Sequence, residues 1–294
     1  MQKAAGFYQN AILFGWDGIA RHLVKKGLAY GYLPNLKTLI STGTFVAIDV
    51  LHTTDSKAGW AQILTGYDPE ITGVFSNNNY QVIPKGYTIF ERLHKFYDSD
   101  NFIAAGIIGR SIEAILPSYG SVQEKNLLIC CLPNDEATCV RALEFLNQHR
   151  DKQFFLFVHF EETDLAAHIF GDGSRAQFAS LLATEARTGQ IITKLKQLGL
   201  YENSLVYITS DHGFDIGKRT HHNAPCVFLI SKDHNLRRQG EQADVAPTIM
   251  NRLGLDTDKI QPPLSGQPLL KMTPPVSRSV YPIAKGAKLL DKVF

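Results

Sequence analysis

Short apolar runs that stop at acidic residues set the rhythm of this chain. The run 11–16 ends at Asp17 and Gly18, the run 154–160 at Glu161, Glu162 and Asp164, and the run 204–210 at Asp211, His212 and Gly213. A fourth run, 226–230, follows His221 and His222. None of them alternates polar with apolar positions, which is the pattern of strands covered on both faces, as in a parallel sheet between helices. Segments 44–51, 102–109 and 126–132 read as further strands. Helices are predicted for 58–64, 88–97, 136–149, 177–198 and 243–253, with Pro34 opening another. The Asn-, Pro- and Gly-rich stretch 67–86 reads as loop, and 110–126 is left unassigned. Strands alternating with helices and no clear linker predict an α/β fold: a three-layer α/β/α sandwich with a largely parallel central sheet. One domain is expected over 1–294, its end at 262–294 a Pro-rich and then basic tail.

Composition narrows this picture without redirecting it. The chain has 294 residues, 44% of them hydrophobic, enough for a large core. A formal net charge of +2 exerts no general pull on nucleic acid or membranes. No stretch is long and apolar enough to span a membrane, and nothing resembles a signal peptide. Cys130, Cys131, Cys139 and Cys226 lack metal-finger or redox spacing and read as reduced thiols. The expectation is a cytoplasmic protein with no nucleic-acid polymer and no membrane as partner.

The candidate chemistry lies where the strands end, because ligands of such sheets collect at the carboxyl edge. Several carboxylates and imidazoles meeting there without a cation would repel and resist burial, so a divalent metal pair is the economical reading. Asp164 and His168 stand four apart, on one face if helical. Asp211 and His212 are contiguous, and His221 or His222 arrives ten residues later. With Asp17 they make an oxygen and nitrogen set suited to zinc or manganese. Ser56, at a predicted helix start, is the candidate nucleophile, with Thr53 and Thr54 as fallbacks. Taken singly, each residue has an ordinary explanation. An Asp-Gly pair makes turns, a serine caps helices, and an exposed Lys57 is solvated. His159, inside a strand, reads as a hydrogen-bonded core histidine. Glu161 and Glu162 are candidates for supporting a metal ligand.

In order along the chain, Asp17-Gly18, Pro34-Asn35-Leu36, Ser56, Thr65-Gly66-Tyr67-Asp68-Pro69, Glu162 to His168 and Ser210 to Gly213 resemble the alkaline phosphatase superfamily. The chain is most similar to its type I phosphodiesterase and nucleotide pyrophosphatase branch. The resemblance implies the alkaline-phosphatase-like sandwich and a two-metal site holding two divalent ions, zinc or else manganese. Asp17, Ser56, Asp211 and His212 would hold one ion. Asp164, His168 and His221, with His222 as the alternative, would hold the other. It further implies a phosphoserine intermediate at Ser56, an Asn77 that contacts the phosphoryl oxygen, and a small-molecule phosphate ester as substrate. Phosphomonoester, phosphonate and sulfate ester hydrolysis on the same frame are the rival activities, and a non-catalytic scaffold is the rival from another class. The residues after Ser56 (Lys57 to Trp60) lack the sulfatase Cys/Ser-x-Pro-Ser-Arg pattern, and no arginine stands where a monoester clamp belongs. The usual cap insertions are missing, so an open pocket formed by Tyr67, 77–80 and Phe170 is expected.

Overall fold

The computed structural model describes residues 8–118 and 125–270. Of the tail expected over 262–294, the basic part from 271 on lies outside the described residues.

Eight strands make one sheet: β1 (Asn10–Trp16), β2 (Thr44–Asp49), β3 (Phe102–Ile108), β4 (Leu127–Cys131), β5 (Gln153–Phe160), β6 (Ser204–Thr209), β7 (Cys226–Ser231) and β8 (Gly240–Glu241), ordered β4-β3-β5-β1-β6-β7-β2-β8. The pairs β4·β3, β3·β5, β5·β1, β1·β6 and β2·β8 are parallel, whereas β7 runs antiparallel to both β6 and β2. The sheet is therefore mostly parallel, with one reversed strand that the apolar pattern of 226–230 did not distinguish. A strand buried on both faces reads alike in either direction.

The helices are α1 (Arg21–Ala29), α2 (Pro34–Ser41), α3 (Ser56–Thr65), α4 (Pro69–Thr72), α5 (Ile89–Tyr97), α6 (Asp135–Gln148), α7 (Glu162–Phe170), α8 (Arg175–Gln197) and α9 (Val245–Arg252). The two-residue period of the strands sorts their side chains into two cores. On one face Leu13, Phe157, Tyr207 and Leu229 pack with Trp60 and Leu64 of α3, Phe90 of α5 and Ile249 of α9. On the other, Phe14, Val158, Ile208 and Phe228 meet Val24 of α1, Leu36 of α2, Phe145 of α6 and Ile191 of α8. These are the three layers of the expected sandwich. Each fully buried Phe or Leu contributes on the order of 1.5–3 kcal/mol, which is why the central strands β1, β3, β5 and β6 show no solvent-facing side.

Two segments differ from the sequence reading. The stretch 67–86 contains the short helix α4, started by Pro69 and ended by Gly73 in the left-handed region. The unassigned segment after β3 opens with a 3-10 helix, Arg110–Ile115. The capping box of α5 is built from Thr88 and Glu91, whose side chains each reach the other's backbone N–H. Cys130, Cys131, Cys139 and Cys226 are all free, and burial pushes the Cys131 and Cys139 thiols up to about 11. Among the described residues, no helix is long and apolar enough to cross a membrane.

Candidate active site

The carboxyl ends of β1, β5 and β6, adjacent in the sheet, deliver the acidic residues to one place. Asp17 leaves β1 as the backbone turns at Gly18, whose φ is +71°. A side chain there would be strained, and its Cβ would also lie 2.8 Å from Asp164 Oδ1. Gly18 therefore lets α7 carry Asp164 up against the β1 end. Asp211 and His212 follow β6 directly, and the Gly18 N–H donates to Asp211 Oδ1 (3.2 Å) while the Ile19 N–H donates to Ser210 Oγ (2.9 Å). These bonds tie the two strand ends together.

Two clusters of ligand-type atoms result, Asp17 with Asp211 and His212, and Asp164 with His168 and His221; within each, the atoms lie within 4.8 Å of one another. Of the two candidate histidines, His221 is buried beside Asp164 and His168, and its ring stacks on His212 at 4.1 Å, whereas His222 is exposed. Ser56 is the first residue of α3, and its Oγ lies 3.1 Å from His212 Nε2 and 3.5 Å from Asp17 Oδ1. The fallback hydroxyl of Thr53 instead accepts the Asp55 N–H.

The hydrogen bonds set the imidazole tautomers. His212 Nδ1 donates to the Gly213 carbonyl (2.9 Å) and His168 Nδ1 to the Arg219 carbonyl (3.0 Å), so Nε2 of each presents a lone pair. That His212 lone pair faces carboxylate oxygens of Asp211, Asp17 and Asp164 at 3.3, 3.6 and 3.8 Å. Such a meeting of electron-rich atoms is repulsive unless a cation lies among them. Asp164 Oδ1, Asp211 Oδ2 and His221 Nδ1 are also buried without a hydrogen-bond partner, so the donor set fits divalent cations.

The electrostatics agree. Burial, and then the charge of Asp17, push the Asp211 and Asp164 carboxyls well above the usual carboxylate range. Burial also lowers His212, and lowers His221 to about 4 with help from its histidine neighbours. Asp17 is the exception: burial raises its carboxyl, but the hydrogen bond and charge of His159, with His212 and Trp60, outweigh that and hold it below the ordinary value.

Two residues support Asp17. His159, expected as a hydrogen-bonded core histidine, is one, with Asp17 as its partner, and Trp60, to which the sequence reading gave no role, supports the same carboxylate. The Gly109 N–H donates to His159 Nδ1 (3.3 Å), which leaves Nε2–H to donate to Asp17 Oδ2 at 3.0 Å. Trp60 Nε1 donates to the same oxygen at 3.1 Å. Trp60 fits against β1 only because residue 15 is glycine: a Cβ there would lie 2.5 Å from the indole. Oδ1 of Asp17 is left to face Ser56. The only signal in the sequence was a histidine placed one residue before the end of the apolar run 154–160.

The remaining residues frame this centre. Asn77 Oδ1 accepts the Lys57 N–H at the start of α3 (3.0 Å), which leaves Nδ2 as its available donor. Lys57 is not simply solvated: its Nζ donates to the Asn77 carbonyl and lies 3.9 Å over the Tyr80 ring, binding the 77–80 loop to α3. Of the residues expected to form an open rim, Phe170 and Tyr80 are exposed. Tyr67 is not part of that rim. It is fully buried, with its hydroxyl donating to the Pro262 carbonyl and accepting from Arg92, because the Thr65-Gly66 turn points the next side chain into the core. Glu161 accepts the Arg110 and Ser111 N–H groups, and Glu162 pairs with Arg187, so both acids fasten neighbouring segments. Asp135, unremarked in the sequence, accepts the Glu161 and Glu162 N–H groups at the start of α7; burial raises its carboxyl to about 6.

Comparison with known proteins assigns the chain's family and fold. Residues 11–107 and 111–259 match the model of the family described as type I phosphodiesterase / nucleotide pyrophosphatase. Among curated proteins, a 2,3-bisphosphoglycerate-independent phosphoglycerate mutase of Clostridium kluyveri is 27% identical over 42% of this chain and 24% of its own length. A bis(5'-adenosyl)-triphosphatase of Pongo abelii is 36% identical over 24% of this chain and 16% of its own length. The matches thus span a quarter or less of those relatives. Among solved structures, murine ectonucleotide pyrophosphatase / phosphodiesterase 5 superposes with a TM-score of 0.61 at 13% identity, covering 84% of this chain and 96% of that one.

Proposed function

The chain belongs to the type I phosphodiesterase / nucleotide pyrophosphatase family, and on that footing we propose that it hydrolyses small phosphate esters, of diester or pyrophosphate type, with Ser56 as nucleophile. The observation that carries the reading is the position of Ser56 Oγ, 3.1 Å from His212 Nε2 at a helix start, beside two clusters of unpartnered ligand atoms. Asp17, Asp211, His212 and Ser56 would hold one divalent ion, and Asp164, His168 and His221 a second, zinc being preferred and manganese the alternative. Bound there, the ions supply the positive charge that acidifies a hydroxyl and neutralises a phosphoryl group.

The protein's own part is arrangement. His159 and Trp60 hold Asp17 by one oxygen, so that its other oxygen stays toward Ser56. As Ser56 Oγ bonds to phosphorus, the bond from phosphorus to the departing alcohol or phosphate oxygen breaks, and the Ser56 proton passes to that departing oxygen. Water then cleaves the phosphoserine, releasing the phosphoryl product and restoring the hydroxyl. Asn77 Nδ2, free because Oδ1 is occupied by the Lys57 N–H, donates to the oxygen on which charge develops.

Ser56→Ala tests this reading directly. Turnover of chromogenic diesters and monoesters is expected to fall by roughly three orders of magnitude or more, with metal content retained. Substantial remaining turnover would overturn the assignment. The rates of the intact protein on the two ester classes rank diester against monoester chemistry.

A further inference from the structure

A second cleft lies away from the Ser56 cluster, between the end of α1 and the start of α8. It has a volume of about 390 Å³, within the range of small-molecule sites, and is lined by Leu23, Lys26, Tyr30, Tyr32, Phe178 and Leu181, with 173–175 and Gln177 at the start of α8. No residue placed at the candidate active site lines it, and neither does any acidic side chain. Tyr30, Tyr32 and Phe178 form a row of rings, with centroids 6.0 and 5.3 Å apart, and the two tyrosines are 67% and 50% exposed. So much exposed aromatic surface, concave and beside cations, marks a place where a flat group can stack.

The charged side chains that line the cleft, Lys26 and Arg175, are both cationic. Lys26 and Arg175 are both exposed and make no ion pair among the described residues. The positive end of the 23-residue helix α8 opens at Ser174. An independent observation comes from Gln177, which lines the cleft and is only 1% exposed. Its Oε1 accepts the Gly173 N–H at 2.7 Å, which orients the amide, and its Nε2 is left buried without an acceptor. A buried donor of this kind calls for an acceptor that the protein does not supply.

We propose that this cleft is a second ligand site, for a small aromatic anion whose ring lies against Tyr32 and Phe178 and whose charged group sits at the start of α8 by Gln177, Lys26 and Arg175. The site is independent of the hydrolase reading, since it shares no residue with the metal clusters.

Benzenesulfonate is a suitable probe, because its carbon–sulfur bond gives a phosphoesterase nothing to cleave. Titrated into the full chain, it should bind saturably, quench tyrosine fluorescence and shift the amide signals of 173–178, and it should bind more tightly than inorganic sulfate. The double variant Lys26→Glu/Arg175→Glu, both surface positions, should weaken binding roughly tenfold, equivalent to about 1.4 kcal/mol, with ester turnover unchanged. Gln177→Glu keeps the acceptor for Gly173 but replaces the donor with an acceptor, and should weaken binding as much in a protein whose melting temperature is checked. Equal binding of sulfate, or undiminished benzenesulfonate binding in the double variant, would overturn the proposal.

Discussion

The two ligand clusters at the candidate active site are built from different material. Asp17, Asp211 and His212 are at most 1% exposed and stand at the ends of β1 and β6, neighbouring strands of the sheet, where backbone N–H groups and Gln242 hold them. Asp164 and His168 ride on α7, with side chains 19% and 41% exposed, and His221 comes from the 213–225 loop. The first cluster inherits the rigidity of the sheet; the second depends on how α7 and one loop are fastened. An ion held by the second should therefore leave first under a chelator, while the strand-end cluster retains its own.

The sharpest way to break that comparison is substitution within each cluster. Asp17→Asn should lower ester turnover by roughly three orders of magnitude and empty the strand-end cluster, whereas His168→Ala should cost the second ion and leave the first bound. Metal content per chain, measured for both variants, decides; loss of both ions from either variant would erase the distinction. Next in size is the fastening of α7 by Asp135. Its carboxyl is raised to about 6 from 3.8, so the folded chain holds that proton more tightly than the unfolded one. The stability this contributes is full below the unfolded value and is lost as pH rises through 6. About 2 pH units at 1.36 kcal/mol each gives roughly 3 kcal/mol, by which the stability of the native chain should fall relative to Asp135→Asn between pH 3 and pH 7. Denaturant titrations of both proteins across that range check it, and a constant difference would contradict it.

Smaller effects probe the supports. His159→Phe removes the donor to Asp17 Oδ2 and should weaken metal affinity about 10- to 100-fold, with His159→Gln recovering part of the loss. Metal titration of the three proteins would discount the role of His159 if all gave one curve. Tyr80→Ala removes the ring beneath Lys57, a contact of about 0.5–1 kcal/mol. It should raise KM two- to fivefold by roughly that energy, with kcat unchanged; a fall in kcat instead would place Tyr80 closer to the reaction.

Much of this was readable along the chain. Buried strands announce themselves because both faces are apolar, and residues at their ends fall at one sheet edge for any parallel order, so Asp17, Asp164 and Asp211 could be grouped before the fold was seen. The antiparallel sense of β7 could not be read, since an apolar run carries no direction. Nor could Tyr67, whose orientation depends on the turn at Gly66 and on Arg92 and Pro262 from distant segments. Lys57 looked solvated because its partners, Asn77 and Tyr80, lie twenty and more residues on.

The same division runs through the site. Which residue types gather, and at which sheet edge, follows from local periodicity, because strand burial and strand ends are properties of short segments. Which of His221 and His222 turns inward, which oxygen of Asp17 is taken by His159 and Trp60, and which nitrogen of His212 keeps its lone pair were settled only in the folded chain. The His212 tautomer is set by the adjacent Gly213 carbonyl, but the choice of Asp17 oxygen rests on a contact between segments more than a hundred residues apart, Asp17 with His159, and a hydrogen bond of that kind has no counterpart in the order of the residues.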